Sequence, residues 1–281
     1  MMAKKQASAK STPAARRGQL PLEPKTMTDS SVGFDRDSGM LLGGGATRHE
    51  FLMNELSASE LVQAIATVPP ALDEEEMTRV EIVGAEGQHG AMMRLDHPVK
   101  LRVRGTLGDY AFAFNAQAIA KVFGDVGHGV GDGMLSGSVR VRGNAGHAAG
   151  VGMIGGTLGV YGSAGDRVGA MLRGGGIFVR RNVGNDAGSG AISGTIVIGG
   201  DAGENLGDAR SDVSVFIRGQ AASLSAGVTE APLRKKQEVQ LGLLLISAGI
   251  RGDASEFRRV VPIAKLEAEK AARGEVVPNW R

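Results

Sequence analysis

Cysteine is absent from this 281-residue chain, which excludes disulfides, iron–sulfur ligation and thiol nucleophiles within it. Aromatic residues make up only 4 %, and the single tryptophan, Trp280, sits at the extreme C-terminus. A core must therefore be built from small aliphatic side chains. No stretch approaches the about 18 apolar residues of a membrane span. Neither sign of charge dominates: 32 basic residues face 30 acidic ones, for a net charge of +2. Much of the basic excess lies near the N-terminus, so nucleic acid is not implied. The chain has no G-x-x-x-x-G-K-[ST] loop, no H-E-x-x-H and no G-x-S-x-G, which removes the commonest phosphate, zinc and serine-hydrolase signatures.

Glycine is abundant instead. The chain has 44, where average usage would give about 20, and the excess is periodic. Gly105, Gly124, Gly143, Gly162, Gly200 and Gly219 fall in one series of period 19, with Arg181 standing at the remaining place. A second glycine follows three residues later (Gly108, Gly127, Gly146, Gly165, Gly184, Gly203), and a third four residues after that (Gly131, Gly150, Gly169, Gly188, Gly207). A fourth recurs at Gly137, Gly156, Gly175 and Gly194. The unit reads G-x-x-G-x-x-x-G-x5-G.

Apolar positions keep the same frame. Leu101, Ala120, Val139, Leu158, Ile177, Ile196 and Val215 form one column, and Val103, Val122, Val141, Val160, Val179, Ile198 and Ile217 form another two residues on. A spacing of two puts both on one face of a short strand, while the residue between them (Arg102, Lys121, Arg140, Gly159, Phe178, Val197, Phe216) points the other way. One face is buried and the other varies. A single copy cannot bury such a face, so copies must stack into a solenoid. Helical repeats need about 33 to 47 residues, and leucine-rich repeats carry a signature missing here. The expectation is an all-β fold: a parallel β-helix of about seven 19-residue coils, three short strands per turn, with flanking N- and C-terminal helices. Its glycine corners supply positive φ or close backbone approach.

Polar ladders follow the glycines. Thr106, Asp125, Asn144, Ser163, Asn182, Asp201 and Gln220 form one; Asp109, His128, His147, Asp166, Asn185 and Glu204 form the other. These are turn-forming or solvated types. His128 and His147 stack one coil apart, which raises a metal reading, but no third ligand recurs in register. His89 lies in a glycine-rich loop over residues 84–90. Met134 and Met153, with Met171 nearby, read as interior filler. Asp166 with Arg167, and Asp208 with Arg210, read as exposed charged neighbours. Gly129, Gly131 and Gly133 lack the strand-then-helix context of a dinucleotide loop.

Four segments result. Residues 1–48, basic and rich in Ala, Ser, Thr and Pro, are read as a disordered cytoplasmic arm in preference to a targeting peptide. Residues 49–98 form a lead-in with a helix opened by a Ser57/Glu60 capping box, carrying Leu61, Ile65 and Val68 on one stripe and stopped by Pro69 and Pro70. The acidic run 73–76 reads as solvated, and 79–83 as a strand. Residues 99–228 are the glycine repeat. Residues 229–281 are a helical tail: a helix over 233–248 ending at Gly249, a cap at Asp253 with Glu256, a further helix over 262–273 ending at Gly274, and frayed final residues. The stripe Leu241, Leu244 and Leu245 caps the last coil or docks a partner.

The copies Gly143-Asn144-Ala145-Gly146-His147-Ala148-Ala149-Gly150 and Gly200-Asp201-Ala202-Gly203-Glu204-Asn205-Leu206-Gly207 resemble the GXGXG β-helix domain that closes the large subunit of glutamate synthase. The layout is most like the stand-alone small subunit of the N-methylglutamate synthase type. Ser255-Glu256-Phe257-Arg258-Arg259, Ala264-Lys265-Leu266 and the stretch from Phe216-Ile217-Arg218-Gly219 to Glu230 resemble that subunit's segments. The resemblance covers about residues 95–270. It implies a right-handed β-helix without catalytic residues. This subunit would hold an amidotransferase-like subunit and an FMN-binding glutamate synthase-like subunit together, with FMN and an iron–sulfur cluster in a partner. No catalytic, cofactor-binding or metal-binding residue carries over. Two other readings stand beside it: the β-helical subunit of a formylmethanofuran dehydrogenase or formyltransferase/hydrolase complex, which carries the same motif, and an autonomous β-helical hydrolase or lyase. Arg181, Phe112 and the basic arm depart from the family pattern.

Overall fold

The computed structural model describes residues 25–28, 33–35, 40–42, 47–70, 77–250 and 252–274. The alternation of the repeat becomes nine parallel strands in one sheet: β4 (Thr47–Leu52), β5 (Arg79–Gln88), β6 (Lys100–Leu107), β7 (Ile119–Phe123), β8 (Ser138–Val141), β9 (Thr157–Val160), β10 (Gly176–Val179), β11 (Thr195–Ile198) and β12 (Ser214–Ile217). Each pairs with the next, without register shifts from β6 onward. Along β10, for instance, Ile177 faces Leu158 on one side and Ile196 on the other. The fold is a parallel β-solenoid of about seven turns. Its axis is lined by the expected columns, with Val139, Leu158, Ile177 and Ile196 fully buried.

The two ends of the sheet are antiparallel. β1 (Lys25–Thr28) lies on β4, and a separate hairpin pairs β2 (Gly33–Asp35) with β3 (Met40–Leu42). The last coil is covered by β14 (Arg258–Pro262) pairing antiparallel with β12, and β13 (Val228–Pro232) with β14. Of the segment read as a disordered arm, residues 1–24 lie outside the described residues, whereas 25–28, 33–35 and 40–42 are strands. The acidic run 73–76 and the terminal residues 275–281 lie outside them too.

α1 (Ala58–Ala66) starts at the expected capping box: Ser57 Oγ accepts from Glu60 N–H, and the Glu60 carboxylate accepts from Ser57 N–H. Leu61, Ile65 and Val68 are buried. The loop expected over 84–90 is mostly strand, since β5 runs to Gln88 and absorbs two register shifts against β6. α2 (Lys235–Ala248) ends at Gly249 in left-handed geometry, φ 69°, and does not cap the last coil. The third helical prediction is corrected at its start: Pro262 closes β14, and α3 (Ile263–Ala272) follows it. Both tail strands were missed because their pairing is non-local.

A coil does not contain three strands. It has one strand of about four residues and a single bridge position forming the ladder Leu107, Val126, Ala145, Ala164, Val183, Ala202, Ala221. The remaining arc alternates in handedness. Gly129, Gly131 and Gly133 all have positive φ, so successive N–H groups point to opposite neighbours. Gly129 N–H donates to His147 O on one side, and Gly131 N–H to Ala111 O on the other. The arc thus satisfies its backbone without a second sheet. Its middle place is the third glycine series. At Gly150, φ is 68° and a Cβ would lie 2.5 Å from Ile177 Cδ1, so both strain and volume select glycine. In the first coil Phe112 occupies this place at φ 57°, fully buried. The place before it holds Met92, likewise buried with φ 53°, so the interior at that end is filled from the arc itself.

Candidate interaction surfaces

The first glycine series has a different cause from the third. A Cβ on Gly143 would lie 2.2 Å from Asp125 Oδ1, and one on Gly200 would lie 2.2 Å from Asn182 Oδ1. The obstructing atom belongs to the polar ladder one coil below. Asp125 Oδ1 accepts from Asn144 N–H, Asn144 Oδ1 from Ser163 N–H, Asn182 Oδ1 from Asp201 N–H and Asp201 Oδ1 from Gln220 N–H. Beneath Arg181 the ladder residue is Ser163, which has no δ oxygen. The ladder oxygen is therefore missing beneath Arg181, although a backbone carbonyl can exclude a side chain without it: at Gly124, above Thr106, a Cβ would lie 2.1 Å from Gly105 O.

The second ladder runs on the same plan. His89 Nδ1 accepts from Asp109 N–H, Asp109 Oδ1 from His128 N–H, His128 Nδ1 from His147 N–H, and His147 Nδ1 from Asp166 N–H at 2.9 Å. Asp166 and Asn185 continue it to Glu204. His89 therefore belongs to the ladder. The His128 and His147 rings stack with centroids 5.0 Å apart and planes 19° apart. An accepting Nδ1 places the proton of each neutral ring on Nε2. The Asp166 carboxylate also lies 3.3 Å from His147 Nδ1, but that nitrogen is engaged by the shorter, better-aimed backbone donor. Among the described residues no group of three or more His, Asp or Glu is placed to hold a metal ion. The ladder side chains are corner staples, each about as strong as one ordinary hydrogen bond, ~1 kcal/mol.

The remaining charged candidates are also local. Asp208 accepts from Arg210 N–H and Gly190 N–H, and these bonds, the Arg210 one foremost, hold its carboxyl below the ordinary range. Arg167 is exposed. Met134 and Met153 are interior as expected, but Met171 is 63 % exposed, because its place in the arc faces outward.

What the coils present to solvent is apolar at one corner. Leu135, Ile154 and Ile192 stand in one column, each next to an interior residue (Met134, Met153, Ala191), and are 46, 52 and 61 % exposed; the column's remaining place, between Ile154 and Ile192, is the exposed Arg173. Phe114 and Met171 flank them from a column two residues earlier. Five large apolar side chains spread over five coils make a ridge roughly 20 Å long at the inter-strand spacing. Scattered exposed apolar residues need no explanation; an aligned set is a candidate interaction surface. The ridge was legible in the periodicity one residue beyond the interior column.

The outer face of the sheet is divided. From β10 onward the outward residues Phe178, Val197 and Phe216 form a second apolar cluster with Leu241, Leu245, Ala248, Ile250, Ala254 and Phe257. α2 lies on this half. Before β9 the same column is Arg102, Lys121 and Arg140. Its neighbours Phe123 and Tyr161 carry guanidinium groups: Arg102 over Phe123 at 5.0 Å and Arg142 over Tyr161 at 4.8 Å. At the border, Arg140 donates to Ser247 O and Tyr161 Oη donates to Ala248 O at 2.8 Å, occupying the last carbonyls of α2.

The tail residues that carry the family resemblance have structural work. Phe257 is buried; Arg258 pairs with Glu230 at 2.6 Å and donates to Gly219 O, fastening β14 and β13 to the last coil. Arg259 and Arg234 both meet Glu269 of α3. Burial pushes the Arg259 guanidinium below its ordinary range, and repulsion from Arg234 and Arg273 adds to this.

No protein-family model matches the chain, and no curated protein matches it. Among the described residues no helix is long and apolar enough to cross a membrane.

Proposed function

We propose that this chain is a non-catalytic structural subunit of a glutamate synthase-like complex, of the N-methylglutamate synthase type. Such a complex converts glutamate and methylamine to N-methylglutamate and ammonia. The chain holds an amidotransferase-like subunit and an FMN-binding subunit in position, and the FMN and iron–sulfur cluster belong to the partner. The motif resemblance supports this reading, and the exposed apolar ridge of Leu135, Ile154 and Ile192 is the observation that carries it. A rigid solenoid presents that ridge at fixed spacing, which suits a scaffold. The acids and imidazoles of the second ladder from His89 to Asp166 accept from the backbone of the next coil, which weighs against their serving as the paired acid and base of an autonomous hydrolase.

Native purification of the tagged full chain from its source tests the reading. The expected result is stoichiometric recovery of a flavin-containing complex with an amidotransferase-like subunit, catalysing methylamine-dependent N-methylglutamate formation, and release of a partner by Ile154→Asp with Ile192→Asp. Recovery of the chain alone, without flavin or partners, overturns it.

A further inference from the structure

We infer that the border between the two halves of the outer sheet face is a binding site for a small organic carboxylate. A cleft of about 300 Å³ opens there, lined by Ile119 of β7, Ser138 and Arg140 of β8 and Thr157 of β9, with Gln117 beside them and Ser247 reaching it from the end of α2. The register explains why the space is left open. Ile119, Ser138 and Thr157 are paired neighbours on adjacent strands, so two short side chains follow one long one. Beside Arg140 the next outward place is Gly159, and the apolar cluster beneath α2 takes up this column only from Phe178 onward.

The polar groups of this cleft lack partners. A guanidinium has five N–H donors; among the described residues Arg140 makes one hydrogen bond, from Nη2 to Ser247 O at 3.2 Å, and no ion pair. Arg140 Nε and Ser138 Oγ are both withdrawn from solvent with nothing to bond. Buried polar groups are nearly always satisfied, so two orphans on the lining of one cleft point to a ligand from outside the chain. Both can meet it. A serine hydroxyl turns about a single bond, and the one contact that holds Arg140 is at the long end of the hydrogen-bond range.

The lining selects the ligand. A guanidinium edge matches a carboxylate in a planar two-point contact. Hydroxyls at Ser138 and Thr157 can donate to a neighbouring oxygen, and Ile119 offers an apolar wall to a short carbon chain. The outward column here is basic (Arg102, Lys121, Arg140), which attracts an anion. Asp96 accepts from Gln117 Nε2 at 2.6 Å and is not paired with Arg140. The carbonyl end of α2, which would repel an anion, is capped by Arg140 and Tyr161. The volume stands at the lower end for small-molecule sites, which suits a small acid.

This inference does not rest on the scaffold reading, and its test needs no partner subunit. The purified full chain is titrated with succinate, with the uncharged diamide succinamide and with inorganic phosphate. Binding is followed by calorimetry and by the Arg140 Nε–H signal in proton–nitrogen NMR spectra, assigned by its loss in Arg140→Gln. Succinate should bind saturably and shift that signal, and the other two should bind at least about 10-fold more weakly. Arg140→Gln should weaken succinate binding by about 10- to 100-fold, the range for a hydrogen bond to a charged group. Ser138→Val, which leaves the bond to Ser247 in place, should weaken it about 5-fold. Arg142→Gln removes an equal charge from the same face outside the cleft and should leave binding unchanged. An Nε–H signal that stays still with succinate, as it does where the cleft holds only water, overturns the inference. So does succinate binding that survives Arg140→Gln or falls equally in Arg142→Gln, or an equal response to phosphate or succinamide.

Discussion

The two halves of the solenoid's outer sheet face are built on one backbone and differ in a single column. In the earlier coils that column is Arg102, Lys121 and Arg140, with rings of Phe123 and Tyr161 beneath guanidinium groups. In the later coils it is Phe178, Val197 and Phe216, roofed by α2. Gly159 stands between them, buried, with no side chain of either kind. The difference teaches that the strand pattern alone fixes only the inner face. The outer face is free to vary, basic in one half and apolar beneath a helix in the other.

The sharpest way to break this contrast is to exchange the two chemistries. Val197→Lys places an unpaired charge in a fully buried apolar cluster and should cost about 3–5 kcal/mol in urea unfolding. Lys121→Val, at the same place in the basic half, should change stability by less than about 1 kcal/mol. Equal effects would show that the two halves are not differently covered. The border is the next test. Tyr161→Phe removes the hydroxyl that holds Ala248 O and should cost ~1 kcal/mol, with faster proteolysis near the end of α2. No change in either would detach the helix from the border.

Smaller effects separate the corners of the two halves. The corner ladder runs unbroken through Asp125, Asn144 and Ser163 in the earlier coils, and its gap lies between Ser163 and Asn182. Ser163→Asn alone should cost about 1 kcal/mol, since its amide oxygen would enter the space that Arg181 uses. Combined with Arg181→Gly it should be neutral or stabilising, giving a coupling energy of about 1–2 kcal/mol in a double-mutant cycle. Additive effects would sink the account of Arg181. The smallest effect concerns the later arc. The Asp208 carboxyl titrates lower in the folded chain, chiefly through the Arg210 N–H and then Gly190. Its contribution is therefore present above the ordinary carboxylate range and lost as pH falls through the folded value. The stability difference between the parent and Asp208→Asn should shrink as pH drops below about 4.

The interior columns, the coil length and the first helix were legible because each is a local or strictly repeated signal. The tail was not. Arg258 and Arg259 enter the sequence reading only through a motif resemblance, and their partners Glu230 and Glu269, distant in sequence, are visible only in the fold. Glycine recurrence marked the corners correctly but concealed two different reasons, steric exclusion by a ladder oxygen at Gly143 and left-handed geometry at Gly150. The apolar ridge was present in the frame at Leu135, Ile154 and Ile192, and attention to the strands alone passes over it.

The corner ladders have a direction. From His89 to Asn185, every side chain of this ladder accepts from the backbone of the coil that follows it in the chain. A ribosome therefore releases the acceptor before the donor that will meet it, and each completed turn is a template awaiting the next. Loss of later coils exposes lone pairs that water satisfies at an exposed corner. Loss of earlier coils leaves the following coil's backbone N–H groups without those acceptors, so the two ends of the rod are not equivalent places to cut it.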